Sequence, residues 1–124
     1  TPAYFLSTRE DHIAPWKSTY SGTQLLGGPK RFVLAASGHI AGVVNAPGKM
    51  KYSHWVSEAK HGHHLPKSPD AWLQKAREEG GSWWPDWHQW HKKFAGKKVP
   101  ARKPGGGKLK LIGDAPGSYV KTMS

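Results

Sequence analysis

The sequence contains no cysteine among its 124 residues. This absence excludes disulfide bonds and thiolate metal sites within the chain, and these residues supply no cysteine nucleophile. No apolar run approaches the roughly 20 residues that a membrane-spanning helix needs, and no charged-then-apolar signal segment opens the chain. We therefore expect a cytoplasmic protein without a transmembrane segment.

Acidic residues are also scarce. The chain has 8 Asp and Glu and 19 Lys and Arg, which gives a net charge of +11. Such an imbalance favours anionic partners, which include nucleic acids, anionic surfaces and phosphate-bearing cofactors. Hydrophobic residues make up only 36% of the chain, and its 15 Gly and 10 Pro indicate much turn and loop. The chain opens at Thr1 without Met and enters an apolar run at once. We expect a C-terminal piece of a larger protein, with a core that is incomplete on its own.

The most informative stretch is the apolar run of residues 32–36, which ends in Ser37 and Gly38. A short uninterrupted run of this kind predicts a strand buried on both faces of a parallel sheet. His39 follows directly after that strand, where open α/β sheets build their sites because the loops converge there. His39 is therefore a candidate base.

A strand over residues 3–7, a polar loop over 8–12 and a helix beginning at Pro15 precede this run. Proline suits the first turn of a helix because its missing N–H needs no partner there, and the glycines at 27–28 are typical of a helix end. The expected inward face of the helix consists of Trp16, Tyr20 and either Leu25 or Leu26. These elements predict a strand-helix-strand unit of a parallel sheet with a right-handed crossover, and the other strands of the sheet are expected upstream.

The middle of the chain is predicted to hold a loop over 49–67 followed by two helices. A histidine cluster at 60–64 lacks a carboxylate and is better explained as solvated loop, so we predict no metal site. Ser68 is a strong N-cap for the first helix, which is expected to stop at residues 80–81. Ser82 is the expected N-cap of the second helix, whose aromatic stripe we interpret as core packing. That stripe consists of Trp83, Trp87, Trp90 and Phe94.

From residue 96 the composition changes to Lys, Arg, Pro and Gly with few apolar anchors. This pattern predicts an irregular basic tail over 96–124, set apart from a folded portion over 1–95. The apolar residues of the tail are expected to dock on the folded portion. They are Leu109, Leu111, Ile112, Tyr119 and Val120.

Asp11 and His39 occupy similar positions, because each lies on a loop after a predicted strand. In an α/β-hydrolase the acid and then the histidine follow the nucleophile in chain order, and the two residues have that order. A carboxylate that accepts a hydrogen bond from one imidazole nitrogen fixes the tautomer, so the other nitrogen can take a proton. The spacing alone leaves a chance arrangement open.

Three segments of the chain resemble the C-terminal part of class I polyhydroxyalkanoate synthases. They are residues 7–16 (STREDHIAPW), 31–43 (RFVLAASGHIAGV) and 81–87 (GSWWPDW). The closing residues 115–121 (APGSYVK) also resemble the end of those synthases, so the likeness covers nearly the whole chain.

The resemblance implies a C-terminal fragment of an α/β-hydrolase fold and a polymerase of (R)-3-hydroxyacyl-CoA that releases CoA. Asp11 and His39 match the acid and the base of the family's Cys-Asp-His triad, and its cysteine is expected upstream. His12 matches a histidine of the family's motif, and it either assists the reaction or shapes the loop. The chain alone is expected to be inactive.

The resemblance also implies partners and a location for the full-length enzyme. The expected partners are the acyl-CoA substrate, the growing polyester chain, a second copy in a homodimer, and the polymer granule surface with its associated proteins. The expected location is cytoplasmic, at the surface of the polyester granule. No cofactor and no specific nucleic acid are expected.

Two alternatives remain open at this point. An α/β-hydrolase esterase or polyester depolymerase shares the triad logic but lacks the motif of residues 83–87. A basic nucleic-acid-binding module fits the charge and the closeness of Lys and Trp in residues 83–98, although no nucleic-acid motif is present.

Overall fold

The computed structural model describes residues 1–122 and has an α/β architecture built on a four-stranded mixed sheet. Its strands, in sheet order, are β1 (Ala3–Thr8), β2 (Lys30–Ala35), β3 (Ser53–Ala59) and β4 (Arg77–Gly80). β1 and β2 are parallel, whereas β3 is antiparallel to both of its neighbours. The helices are α1 (Trp16–Gly22), α2 (Ala41–Val44), α3 (Pro69–Lys75) and α4 (Trp84–Lys92), with 3₁₀ turns at Thr23–Leu25 and Tyr119–Lys121.

The first two strands and α1 form the predicted strand-helix-strand unit. Phe32, Val33 and Leu34 of β2 have no exposed surface, as a strand covered on both faces requires. Trp16 and Tyr20 of α1 are buried against the sheet. The prediction of two parallel strands joined by a helix is confirmed.

The predicted helix end at residues 27–28 is wrong, because α1 stops before the 3₁₀ turn. The ammonium group of buried Lys30 donates hydrogen bonds to the carbonyls of Thr23 and Leu26. These bonds tie the 3₁₀ turn and the residue after it to the start of β2. Leu25 lies in that turn with 86% of its surface exposed, and Leu26 is exposed as well, so neither leucine belongs to the predicted inward face.

Two further strands lie where the sequence analysis predicted a loop and a helix. The prediction of a loop over 49–67 is wrong, because β3 lies within this range. Half-buried and buried residues alternate in β3 from Ser53 to Ser57. Polar side chains among these residues hide the period of two in the sequence. Ser68 does cap α3 and accepts a hydrogen bond from the backbone N–H of Ala71, but α3 ends at Lys75. The residues after it pair with β3 and form β4.

The sheet carries a hydrophobic core on each face. α1 and α3 cover one face, where Trp72 packs edge-on against Phe32 at a ring-centroid distance of 4.8 Å. α4 covers the other face, where Trp83 packs with Val33 and Val56. Successive residues of β2 therefore face different helices, and its apolar run serves both cores.

The aromatic stripe of α4 packs only in part. Trp83 is buried and Trp87 and Trp90 are half-buried, but 53% of the Phe94 surface is exposed, so the packing prediction is wrong for that residue. Phe94 lies after the last residue of α4, and among the aromatic contacts of the described residues its ring contacts only the half-buried ring of Trp90, at a centroid distance of 4.8 Å. Ser82 is one position too early as N-cap, although its hydroxyl accepts a hydrogen bond from the backbone N–H of Trp84.

The chain between α4 and the last 3₁₀ turn forms neither helix nor strand in the structure. The expectation that its apolar residues dock on the folded portion is wrong, since all five are exposed. They lie in two short groups, 109–112 and 119–120, which a segment containing Gly and Pro separates. Among residues 1–122, no helix has the length and apolar character that crossing a bilayer demands.

Candidate active site

The loops that follow β1 and β2 run side by side at the same edge of the sheet, because the two strands are parallel. The pairing continues past the strands, where the N–H of Arg9 donates to the carbonyl of Ala35 at 2.8 Å and the N–H of Glu10 donates to that of Ser37 at 3.0 Å. The next residue of the first loop is Asp11. The second loop reaches His39 two residues after Ser37.

Asp11 is fixed by the backbone that follows it. Its Oδ1 accepts hydrogen bonds from the N–H groups of Ile13 at 2.9 Å and Ala14 at 3.0 Å. These bonds, Ala14 first and Ile13 second, hold the pKa of the Asp11 carboxyl below its usual value, and His39 adds to the effect. The carboxylate is therefore held in one place and kept ionised near neutral pH.

The same oxygen of Asp11 faces the imidazole of His39. Nδ1 of His39 lies 3.4 Å from Oδ1 of Asp11, and the side chains are 41% and 12% exposed, respectively. The contact has ion-pair distance and requires little adjustment to become a hydrogen bond. With Nδ1 directed at the carboxylate, Nε2 is the nitrogen left to exchange a proton with a reacting group.

A tight turn sets the position of His39. Ser37 has a φ of 69°, in the left-handed region, and α2 begins just after His39. The N–H of Gly42 donates to the carbonyl of Gly38 at 2.8 Å. A Cβ on Gly42 would lie 2.4 Å from the carbonyl oxygen of Ala36 and 2.9 Å from Cγ2 of Thr8. Only glycine therefore lets α2 approach the strand ends this closely.

His12 lies beside the pair. Its ring centroid is 5.9 Å from that of His39, with the ring planes inclined at 54°, and its side chain is exposed. All three residues singled out from the sequence are thus brought together at one edge of the sheet. The role of each of them stays a prediction.

The histidine cluster at residues 60–64 lies on an exposed turn. A different group of metal-binding side chains comes together elsewhere among the described residues. It consists of His54 of β3, Glu79 of β4 and Asp86 of α4, whose ligand atoms all lie within 4.8 Å of one another. Sequence reasoning missed this group because it depends on the pairing of β3 with β4.

Asp86 also anchors α4 to the sheet. Its carboxylate pairs with the guanidinium of Arg31 and accepts a hydrogen bond from the hydroxyl of Tyr4 at 2.9 Å. Burial alone would raise the pKa of Asp86, but the bonds from Arg31 and Tyr4 outweigh it and the pKa is lowered. Arg31 further donates to Glu58 at 2.9 Å, so this cation links α4, β2 and β3.

Comparison with known proteins gives a consistent result. No protein-family model matches the chain. The poly(3-hydroxyalkanoate) polymerase subunit PhaC of Rhizobium etli is 50% identical over 119 residues, which are 96% of this chain and 18% of that protein. The subunit of the same name from Cupriavidus necator is 50% identical over 124 residues, covering 99% of this chain and 20% of that protein.

A third relative extends the match to another genus. The poly(3-hydroxyalkanoate) polymerase of Methylorubrum extorquens is 46% identical over 121 residues, which are 97% of this chain and 19% of that protein. The chain spans about a fifth of the length of the curated relatives it matches. The resemblance seen in the sequence is confirmed.

Proposed function

We propose that this chain, whose curated relatives are poly(3-hydroxyalkanoate) polymerases, is the C-terminal part of an enzyme that polymerises (R)-3-hydroxyacyl-CoA into polyester with release of CoA. The observation that carries the proposal is the Asp11–His39 contact at the carboxyl edge of two parallel strands. Identity of 46–50% over nearly the whole chain supports assigning this contact to the reaction of the relatives.

The acid and base residues fit a triad whose cysteine lies outside this chain. His39 takes the proton of the cysteine thiol, and the thiolate attacks the thioester carbonyl of the bound acyl-CoA. The carbon–sulfur bond to CoA breaks, and His39 returns the proton to the departing thiolate. Asp11 accepts the hydrogen bond of Nδ1–H throughout and stabilises the imidazolium that forms between these steps.

Chain growth uses the same base in a second step. The hydroxyl of an incoming unit or chain end loses its proton to His39, and its oxygen attacks the acyl-enzyme carbonyl. A new ester bond forms, and the cysteine sulfur leaves and recovers a proton from His39. His12, whose ring lies beside that of His39, is placed to contact the incoming hydroxyl or to shape the loop.

The mixed sheet supports an α/β-hydrolase fold for the whole enzyme. In that fold the acid and the histidine lie on loops after strands of one parallel sheet, as Asp11 and His39 do. β1 is an edge strand here, and further parallel strands from upstream are expected to pair with its outer edge. Residues 1–95 then form the end of the catalytic domain and residues 96–124 a basic tail.

Substrate, partners and location follow from the same proposal. The net charge of +11 suits the phosphates of CoA, and the exposed apolar residues of the tail suit contact with a polyester granule. The full-length enzyme is placed in the cytoplasm at the granule surface, as a homodimer with granule-associated proteins nearby.

The test replaces His39 in the full-length enzyme. His39→Gln removes the base at similar volume, so the thiol stays protonated and the first release of CoA from 3-hydroxybutyryl-CoA is expected to collapse. Rapid-quench measurement of that burst gives the result, and His61→Gln, in the exposed turn, is the matched control. A normal burst from His39→Gln contradicts the assignment of the base.

A further inference from the structure

His54 is a buried histidine with one nitrogen that has no hydrogen-bond partner among the described residues. Only 2% of its surface is exposed, and its Nε2 atom is fully buried. Its other nitrogen, Nδ1, lies 3.1 Å from the carbonyl oxygen of Gly81. A carbonyl only accepts hydrogen bonds, so Nδ1 carries a proton, and the lone pair that Nε2 can offer to a metal ion points away from Gly81.

Two carboxylates face that lone pair. His54 and Glu79 are direct cross-strand partners in β3 and β4, so their side chains lie on the same face of the sheet. Nε2 of His54 is 3.7 Å from Oε2 of Glu79, while Arg77 binds the other carboxylate oxygen, Oε1. Asp86 reaches the same point from the first turn of α4.

We propose that His54, Glu79 and Asp86 form a binding site for a divalent transition-metal ion, with zinc as the expected ion. One imidazole nitrogen and two carboxylate oxygens are a ligand set that zinc accepts in four-coordinate sites, with water in the fourth position. Ligand atoms around tetrahedral zinc lie about 3.4 Å apart, given bonds of about 2.1 Å. The three ligand atoms lie within 4.8 Å of one another, so the side chains have to move slightly closer together to bind the ion.

Two of the ligands are already oriented by groups behind them. The Gly81 carbonyl sets the tautomer and direction of His54, and Arg31 with Tyr4 holds Asp86 in place. Such outer partners are typical of metal sites, where they align the ligands before the ion arrives. Arg31 offsets the charge of Asp86 and Arg77 offsets that of Glu79, so binding is expected to be weaker than in a site whose carboxylates are unpaired.

The ion would join three elements on the face of the sheet that carries α4. β3, β4 and α4 each supply one ligand, and none of the three ligands is Asp11 or His39. The proposal is therefore independent of the polymerase proposal. Its expected effect is on the stability of the sheet edge and not on the acid–base pair.

The test measures zinc on the full-length protein after removal of any histidine tag. The chelator-stripped protein is titrated with Zn²⁺ by calorimetry, and Co²⁺ is used as a spectroscopic probe of tetrahedral coordination. His54→Asn is expected to lose one equivalent of zinc per chain. Glu79→Gln, which removes the charge of a direct ligand, is expected to weaken that equivalent by more than the roughly 10–100-fold seen when only the support of a ligand is lost. Glu78→Gln and His63→Asn are the controls, because Glu78 faces the opposite side of the sheet and His63 lies in the exposed turn.

The same variants can also overturn the proposal. Equal zinc stoichiometry and affinity in wild type and Glu79→Gln overturns it even where His54→Asn fails to fold, because Glu79 is partly exposed and its replacement is conservative. Absence of zinc and cobalt binding by the wild-type protein overturns it as well. In that case nitrogen NMR of the imidazole is expected to show a proton on Nε2 of His54 bonded to a carboxylate.

Discussion

The carboxylate of Asp86 on α4 forms a two-point ion pair with the guanidinium of Arg31 on β2, and the two side chains are only 7% and 14% exposed. Asp86→Asn leaves the Arg31 cation without its main counter-ion, and breaking a pair this buried costs about 3 kcal/mol. We expect a clear fall in the urea midpoint of the full-length protein at neutral pH. Asp70→Asn, which removes an exposed partner of Lys17, is the control and is expected to cost less than about 1 kcal/mol.

The same pair predicts how stability changes with pH. The pKa of Asp86 is lowered in the folded state, so its ionised form stabilises the fold above the ordinary aspartate pKa of about 3.9. That stabilisation is lost as the pH falls through the lower folded value. Urea midpoints measured from neutral pH to acid should therefore converge for wild type and Asp86→Asn. Parallel curves would show that another group causes the acid sensitivity.

Asp11→Asn tests whether Asp11 only orients His39. The amide keeps a hydrogen-bonding side chain but loses the charge and can hold the imidazole in the wrong tautomer, a change that lowers turnover by roughly 10⁴-fold in a comparable triad. Glu10→Gln makes the same charge change on the neighbouring exposed residue and should leave activity near wild type.

Two rates separate the possible roles of Asp11. The burst of CoA release and the extension of polymer are expected to fall together when Asp11 only orients the base. A burst that survives while polymer growth stops would instead assign Asp11 to deprotonation of the incoming hydroxyl. Full activity in both steps would remove Asp11 from the triad.

Gly42→Ala tests the close approach of α2 to the strand ends. The added Cβ would meet the backbone carbonyl of Ala36, so α2 has to move, and overpacking of this kind costs about 1–3 kcal/mol. The movement also displaces His39, which lies two residues before the start of α2, and activity should fall more than stability does. Gly48→Ala, where a Cβ meets no atom within 4 Å, is the control for both measurements.

Trp83→Ala tests the core between α4 and the sheet. Trp83 is buried with Val33 and Val56 and donates from Nε1 to the carbonyl of Val43 at 3.1 Å, so its truncation should cost about 3–5 kcal/mol. Phe94→Ala, at the exposed end of the same aromatic stripe, should cost much less. Equal losses for the two variants would contradict the observed burial.

Nucleic-acid binding by the basic surface is expected to be non-specific and sensitive to salt. Phosphates are attracted to the charge of +11, but Trp83 is buried and is not available for base stacking. Gel shifts at low and near-physiological salt should show binding that disappears at the higher salt. Sequence-selective binding that persists there would support the nucleic-acid-binding alternative.

The parts of the fold that depend on local signals could be predicted from the sequence. The apolar run around Val33 marks β2, and Pro15 marks the start of α1, so the loops carrying Asp11 and His39 could be placed after parallel strands. Spacing alone left a chance arrangement of Asp11 and His39 open, and the resemblance to the synthases singled out the two residues. Their proximity, which the structure shows, could therefore be predicted without coordinates, whereas their roles stay a prediction.

The rest depends on contacts between distant segments. His54 and Ser57 interrupt the apolar pattern of β3, and residues 77–79 read as a continuation of α3 until their pairing with β3 is known. Because β3 and β4 were missed, the group formed by His54, Glu79 and Asp86 was missed with them. The exposed position of Phe94 likewise depends on the tertiary packing at the end of α4.

The pairing of the strands also has a consequence for folding order. Asp11 and His39 are 28 residues apart along the chain, and α1 bridges the two strands that precede them. Paired residues of β1 and β2 are 27 positions apart, those of β2 and β3 are 19 to 29 apart, and those of β3 and β4 are 21 to 27 apart. The loop entropy lost on closing each pairing is therefore similar, and no pairing has a large advantage in forming first. We expect the contact of Asp11 with His39 to form together with the whole sheet, so damage to β3 or β4 would lower the yield of native enzyme and the amount of aligned pair alike.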